Sequence, residues 1–230
     1  MAELNITTIA YATISGLLPT LFWLWFWLRE DKGRPKSVGL IAITFILGMI
    51  AVILVVPIQK IFQSNLSDQN VLIAIWAGIE EIAKYLVVAL VALHSIYVEE
   101  PIDYVMYCII GGLGFAAMEN ILFLIKPFTT NDTTVSLLTG NLRFLGSTLL
   151  HALSTGIVGI ALGLSMTKRT IVRCMYIVIG LFIATTLHTI FNFFIMNNDG
   201  GNLLQVFGFL WVVAVFIIII IEKLRRMSGL

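Results

Sequence analysis

Seven stretches of this chain, at about 6–28, 38–58, 71–94, 102–125, 141–166, 171–196 and 203–221, are apolar over a length that can span a membrane. A helix needs roughly 20 residues to cross about 30 Å of hydrocarbon, and each stretch is near or above that length. Barrel strands would be about half as long and would alternate polar with apolar residues, so the stretches are read as helices. Short polar segments separate them, among them Lys32-Gly33-Arg34-Pro35, 64–68, 129–134 and 197–201. Charged residues make up only 12% of the chain and hydrophobic residues 59%. An ordinary globular domain carries roughly twice that share of charge to cover its surface. A soluble enzyme, a disordered chain and a nucleic-acid binder are thereby excluded, and the net charge of +1 gives no polyanion-binding signal. The expectation is an all-α polytopic membrane helix bundle of seven transmembrane helices, a single transmembrane domain over 1–230.

Orientation follows from the basic residues. Arg29, Lys32, Arg34, Lys36, Lys168, Arg169, Arg173, Lys223, Arg225 and Arg226 fall on one side of the membrane. The other side has Lys60, Lys126 and Arg143 near its helix ends. The positive-inside bias places the N-terminus outside and the C-terminus in the cytoplasm. The N-terminal residues lack the basic region of a signal peptide, so the first helix is expected to be retained. Trp23, Trp25 and Trp27 then sit at the cytoplasmic end of that helix, as an interfacial anchor would. Cys108 and Cys174 lie near the reducing side and are expected to be free thiols. Asn5, Asn65 and Asn131 each open an Asn-x-Ser/Thr sequon, a short motif of little weight.

Most charges lie at helix ends, but Glu80, Glu81 and Lys84 on the third helix and Glu119 on the fourth do not. Each central charge costs roughly 2.5–3.5 kcal/mol on insertion scales, on the order of ten for the four if unpaired. Such residues pair or face a cavity, and they mark function. His151, His188 and Asn192 are further polar groups within helices. Counted from the expected outer helix ends, Glu80, Glu119, His151 and His188 lie roughly 9–15 Å deep, at about 1.5 Å per residue. They also share faces with small residues: Ser147, His151, Thr155, Gly159 and Gly163 on one helix, and Gly180, Ala184, His188 and Asn192 on the next. Glu80 and Glu81 are spaced i, i+4 and i, i+3 from Lys84, which neutralises one of them. Taken singly, each has a plainer reading: a structural Glu81–Lys84 pair, a core His151, an Asn192 that joins helices. The coincidence of depth and face points to one site open to the outside.

Buried carboxylates can serve as general bases and hold a water between them. Imidazole and amide N–H groups can stabilise an oxyanion. These parts suffice for peptide-bond hydrolysis in the membrane. Glu80, Glu119, His151 and His188 are also a possible ligand set for a divalent metal such as zinc, although no HExxH is present. The alternative is a proton- or cation-coupled transporter or channel using the same four residues as a relay. It would call for access from both faces and commonly for internal repeats, of which none is evident.

Glu80-Glu81-Ile82-Ala83-Lys84 reads EExxK, Phe115 to Glu119 reads FxxxE, His151 stands alone on the next helix, and His188 to Asn192 reads HxxxN. In this order, on consecutive helices over about 71–196, the motifs resemble the PrsW-type intramembrane proteases, distant relatives of the CAAX prenyl proteases. Prenyl proteases show EExxxR and FxxxH instead, so Lys84 and Glu119 favour the PrsW branch. The resemblance implies site-1 cleavage of a single-pass membrane protein, such as an anti-sigma factor, near its extracytoplasmic face. That in turn implies a multi-pass protein of a prokaryotic cytoplasmic membrane. By similarity, Glu80 with Glu81 beside it would be the water-activating base, and Glu119 would hold the same water. His188 and Asn192 would form the oxyanion site, with His151, Lys84 and Phe115 in support. The choice between a metal and a glutamate–water mechanism stays open at this point.

Overall fold

A computed structural model describes residues 5–31, 36–129, 146–197 and 203–227, with no account of the side chains of 196, 197, 203 and 227. Arg143, Asn131, Lys32 and Arg34 lie outside the described residues, as does most of the connection between the fourth and fifth helices. The described residues form seven helices: α1 Ile6–Glu30, α2 Val38–Asn65, α3 Gln69–Val91, α4 Pro101–Thr129, α5 Thr148–Leu164, α6 Thr170–Asn197 and α7 Leu203–Met227. Five of them (α1, α2, α4, α6 and α7) are long and apolar enough to cross a membrane. Of the other two, α3 carries Glu80, Glu81 and Lys84 in its middle, and α5 is 17 residues long.

The starts are chemically specified. Asn5 accepts from Thr7 and Thr8 N–H, Ser37 from Leu40 N–H, and Asp68 from Asn70 and Val71 N–H, so short polar side chains satisfy backbone donors left free at α1, α2 and α3. Asp103 does the same ahead of α4, where its Oδ2 accepts from Glu99 and Glu100 N–H at 2.9 and 2.8 Å. Proline does not end the helices: Pro19, Pro57 and Pro127 lie inside α1, α2 and α4. The second helix therefore continues to Asn65, beyond the expected end at 58, and only three residues separate it from α3. A proline is tolerated in a membrane helix where neighbouring groups satisfy the freed carbonyl.

α4 is the central helix, and every residue from Ile102 to Ala117 is buried. It packs most extensively against α5, then against α1 and α2. Close approach to α5 depends on absent side chains. A Cβ at Gly112 would meet Thr155 Oγ1 at 2.6 Å and the His151 carbonyl at 2.7 Å, and one at Gly159 would meet Val105 Cα at 2.5 Å. This is the small-residue packing expected of helices in lipid, where no water is expelled to drive association. Outward faces of α1, α2, α6 and α7 present exposed Leu, Ile, Val and Phe.

The aromatic cluster departs from expectation. Trp25 is exposed at 53%, with Arg29 above its ring, but Trp23 and Trp27 are buried at 5% and 3%. Trp23 packs against Trp211 of α7, with ring centroids 6.0 Å apart. Alternate residues on a helix point in different directions, so a W-x-W-x-W run cannot anchor at the interface with all three rings. Cys108 and Cys174 are free, the first buried and the second exposed.

At the same end of the bundle as Asp103, Lys36 Nζ lies 2.7 Å from Asp31 Oδ2 and 2.7 Å from Asp103 Oδ1. Burial pushes the Lys36 ammonium down, but its hydrogen bonds to Asp103 and Asp31 outweigh this and hold it above its ordinary value. Arg225 Nη2 donates to the Glu30 carbonyl at 2.7 Å, so α1, α2, α4 and α7 are tied together here.

Candidate active site

The intramembrane charges meet at one place, around a single turn of α3. Glu81 is the anchor. Its Oε1 accepts from Lys84 Nζ at 2.7 Å, from Ser154 Oγ of α5 at 2.9 Å and from His188 Nδ1 of α6 at 2.7 Å. Thr155 Oγ1 reaches its other oxygen at 3.5 Å. Glu81 and Lys84 are wholly buried, so a charge that would cost several kcal/mol alone is compensated on all sides. Lys84 thus pairs with Glu81. Its distance to Glu80 Oε2 is 4.0 Å, beyond hydrogen-bond range.

Lys84 also fixes His151. Its Nζ lies 2.7 Å from His151 Nδ1, and an ammonium can only donate, so Nδ1 accepts and the ring proton sits on Nε2. Nε2 then donates to Glu119 Oε2 at 2.8 Å. The same reasoning gives His188 the opposite tautomer: Nδ1–H donates to Glu81, which leaves the Nε2 lone pair free, 3.7 Å from Glu80 Oε2. The two imidazoles stand edge to face, 5.1 Å between centroids. Phe115 closes one side, its ring 4.8 Å from Lys84 Nζ and 5.7 Å from His151.

Glu80 differs from its neighbour. Its Oε1 accepts from Gln59 Nε2 of α2 at 2.8 Å, whereas its Oε2 is buried without a hydrogen-bond donor among the described residues. Glu80, Glu119, His151, His188 and Asn192 all line one cavity of about 440 Å³. A second cavity of about 380 Å³ between α2 and α4 shares Glu80, Glu119 and Gln59 with it. Asn192 is half-buried in the wall and not hydrogen-bonded to the charged cluster among the described residues.

Of the residues singled out from sequence, Glu80, Glu81, Lys84, Phe115, Glu119, His151 and His188 form one contact network, and Asn192 joins them only through the cavity. Glu119 lies ten residues before Thr129 on α4, deeper than the six counted from an expected helix end at 125. The expected outer start of the helix that carries His151, at 141, lies outside the described residues. Gln59, Ser154, Thr155 and the buried Asn120–Thr148 hydrogen bond (2.9 Å) had no assigned role. Gln59 was legible only to a reading that carried α2 through Pro57.

The donor set suits a divalent cation. One ligand atom each from Glu80, His151 and His188 lies within 4.8 Å of the others, and all three residues are buried. Zinc ligands at about 2 Å from one ion stand within about 4 Å of each other, a small side-chain adjustment from this arrangement. The unpartnered Glu80 Oε2 and the free His188 Nε2 fit as they stand, with Glu81 as the carboxylate behind the histidine. His151 Nε2 could ligate only with the ring proton on Nδ1, which requires Lys84 to withdraw from its present 2.7 Å contact with that nitrogen.

The chain is similar to known proteins over most of its length. Residues 36–221 match the PrsW family, described as intramembrane metalloproteases. The chain is 24% identical over 207 residues to Protease PrsW of Bacillus subtilis, covering 87% of this chain and 91% of that protein. It is 28% identical to Protease PrsW of Oceanobacillus iheyensis, over 88% and 92% of the two chains. Protease PrsW of Halalkalibacterium halodurans is 23% identical over 94% and 96%. No solved structure matches the chain. A match over most of the length, with relatives that are bacterial, assigns this multi-pass membrane protein to the PrsW family of intramembrane proteases.

Proposed function

We propose that the chain hydrolyses a peptide bond of a membrane-protein substrate in the cavity lined by Glu80, Glu119, His151, His188 and Asn192. The observation that carries this reading is Glu80 Oε2, a buried carboxylate oxygen without a donor among the described residues, facing the free Nε2 of His188. A water placed between Glu80 and Glu119 would lose a proton to a carboxylate as its oxygen bonds to the substrate carbonyl carbon. The carbonyl electron pair moves to oxygen. As the C–N bond breaks, the carboxylic acid returns its proton to the leaving amine. Glu81, Lys84 and Ser154 act by holding the two imidazoles in fixed tautomers.

Glu80, His151 and His188 would hold a divalent metal such as zinc, and Glu119 accepts from His151 beside them. Such an ion supplies Lewis-acid polarisation of the scissile carbonyl when bound. In a glutamate–water mechanism His188 instead takes up a proton, paired with Glu81, and with Asn192 donates to the oxyanion. Its Nε2 cannot both donate a proton and ligate a metal, so the two routes exclude each other. The surplus of carboxylates over ammonium groups in the pocket favours the metal. The substrate is a single-pass membrane protein, of the kind an anti-sigma factor represents, cut near the extracytoplasmic face with the N-terminus of this chain outside.

The test is cleavage of a single-pass substrate by protein purified in detergent, with and without chelator. Loss on chelation and recovery with zinc is expected. Full activity after exhaustive chelation, verified by metal analysis, overturns the metal route.

A further inference from the structure

We propose that Gln59 of α2 is a positioning residue for Glu80, holding its carboxylate so that one oxygen alone faces the cavity. This rests on the reading of Glu80 as the base or ligand of the reaction. Three observations carry it. The Gln59 amide donates to Glu80 Oε1 at 2.8 Å and is its only hydrogen-bond donor among the described residues. Gln59 is itself fixed, because Trp76 Nε1 donates to its backbone carbonyl at 3.2 Å. Trp76 and Glu80 are i, i+4 on α3, so one turn of α3 grips both the backbone and the side chain of Gln59.

A carboxylate is symmetric about its Cγ–Cδ axis and turns freely unless an oxygen is pinned. Pinning Oε1 leaves Oε2 directed at His188 Nε2, 3.7 Å away. Without the amide, either oxygen or neither could occupy that position, and Lys84 could draw Glu80 into the Glu81 ion pair from its present 4.0 Å. A reactive group displaced by about an ångström loses much of its rate, while substrate affinity is unaffected.

The experiment compares wild type with Gln59→Met, which keeps the length and removes the donor, and Gln59→Asn, which keeps the amide one methylene short. Both are expected to lose about tenfold in kcat, the equivalent of one charge-assisted hydrogen bond, with KM within about twofold. A role confined to polar packing would be restored by Gln59→Asn, so wild-type kcat in that variant overturns the proposal, as does a loss confined to KM. A readout independent of turnover is labelling of Glu80 by a hydrophobic carbodiimide, followed by mass spectrometry. It is expected to rise severalfold in Gln59→Met, and an unchanged rate contradicts the proposal. Glu80→Gln separates the two layers: if it cleaves like wild type, the reading of Glu80 fails. If it is inactive while both Gln59 variants keep wild-type kcat, only the positioning role fails.

Discussion

Two adjacent glutamates of α3 have different surroundings. Among the described residues, Glu81 collects three donors on one oxygen, whereas Glu80 has one donor and an unpartnered oxygen in a cavity wall. An anchor and a reactive group can therefore be told apart by substitution. Glu81→Gln or Lys84→Met leaves one buried charge without its partner and is expected to destabilise the protein by about 3–5 kcal/mol, read from detergent-phase unfolding. The double variant Glu81→Gln/Lys84→Met recovers most of that stability but not the cleavage activity, because His188 and His151 lose their fixed tautomers. Stability as low in the double variant as in either single one would contradict this account. The spacing of these residues on α3 was legible in the sequence. That Lys84 serves Glu81 and His151 rather than Glu80 was not, because i+3 and i+4 partners are equivalent until the neighbouring helices supply the third contact.

Among the elements, α4 and α5 decide whether the site assembles, since Glu119 and His151 face each other across their contact. Gly112→Val places methyl groups against Thr155 and the His151 carbonyl, and is expected to cost about 1–3 kcal/mol and to reduce activity together with stability. Gly208, with open space around it, is the control, and its alanine variant should stay within about 0.5 kcal/mol of wild type. At the opposite end, Lys36 bridges Asp31 and Asp103 and is held above its ordinary value of 10.5. A raised value in the folded state means its contribution is complete below 10.5 and fades as pH climbs through the folded value. Unfolding midpoints of wild type and Lys36→Met should therefore differ by a constant amount through neutral pH and converge in strong alkali. A difference that grows with alkalinity would reverse the sign. Helix number and most boundaries followed from apolar run length. The extension of α2 did not, because Pro57 beside Gln59 and Lys60 reads locally as a helix end, and what keeps the helix going is its packing against α3.

On the scale of the whole molecule, scarcity of charge does two jobs. Basic residues at helix ends carry the expected orientation, and the few charges within the helices meet beside one cavity. The expected topology predicts that a cysteine placed at Ser67, between α2 and α3, reacts with a membrane-impermeant thiol reagent in intact cells. Native Cys174, exposed near the start of α6, should react only after permeabilisation. The opposite pattern would invert the topology and place the site toward the cytoplasm. The site residues could be gathered from sequence because charge in a membrane helix is costly and so rarely incidental. Their partners Gln59 and Ser154 are neutral, cost little, and stood out only once the helices were packed. The central claim is that Glu80 does the chemistry at this site. It is tested most directly by single-turnover cleavage of a single-pass substrate by Glu80→Gln, an isosteric change, beside a matched unfolding midpoint. A fall of at least about 10²-fold in rate with the fold intact is predicted, whether Glu80 acts as base or as ligand, and cleavage at the wild-type rate would contradict it.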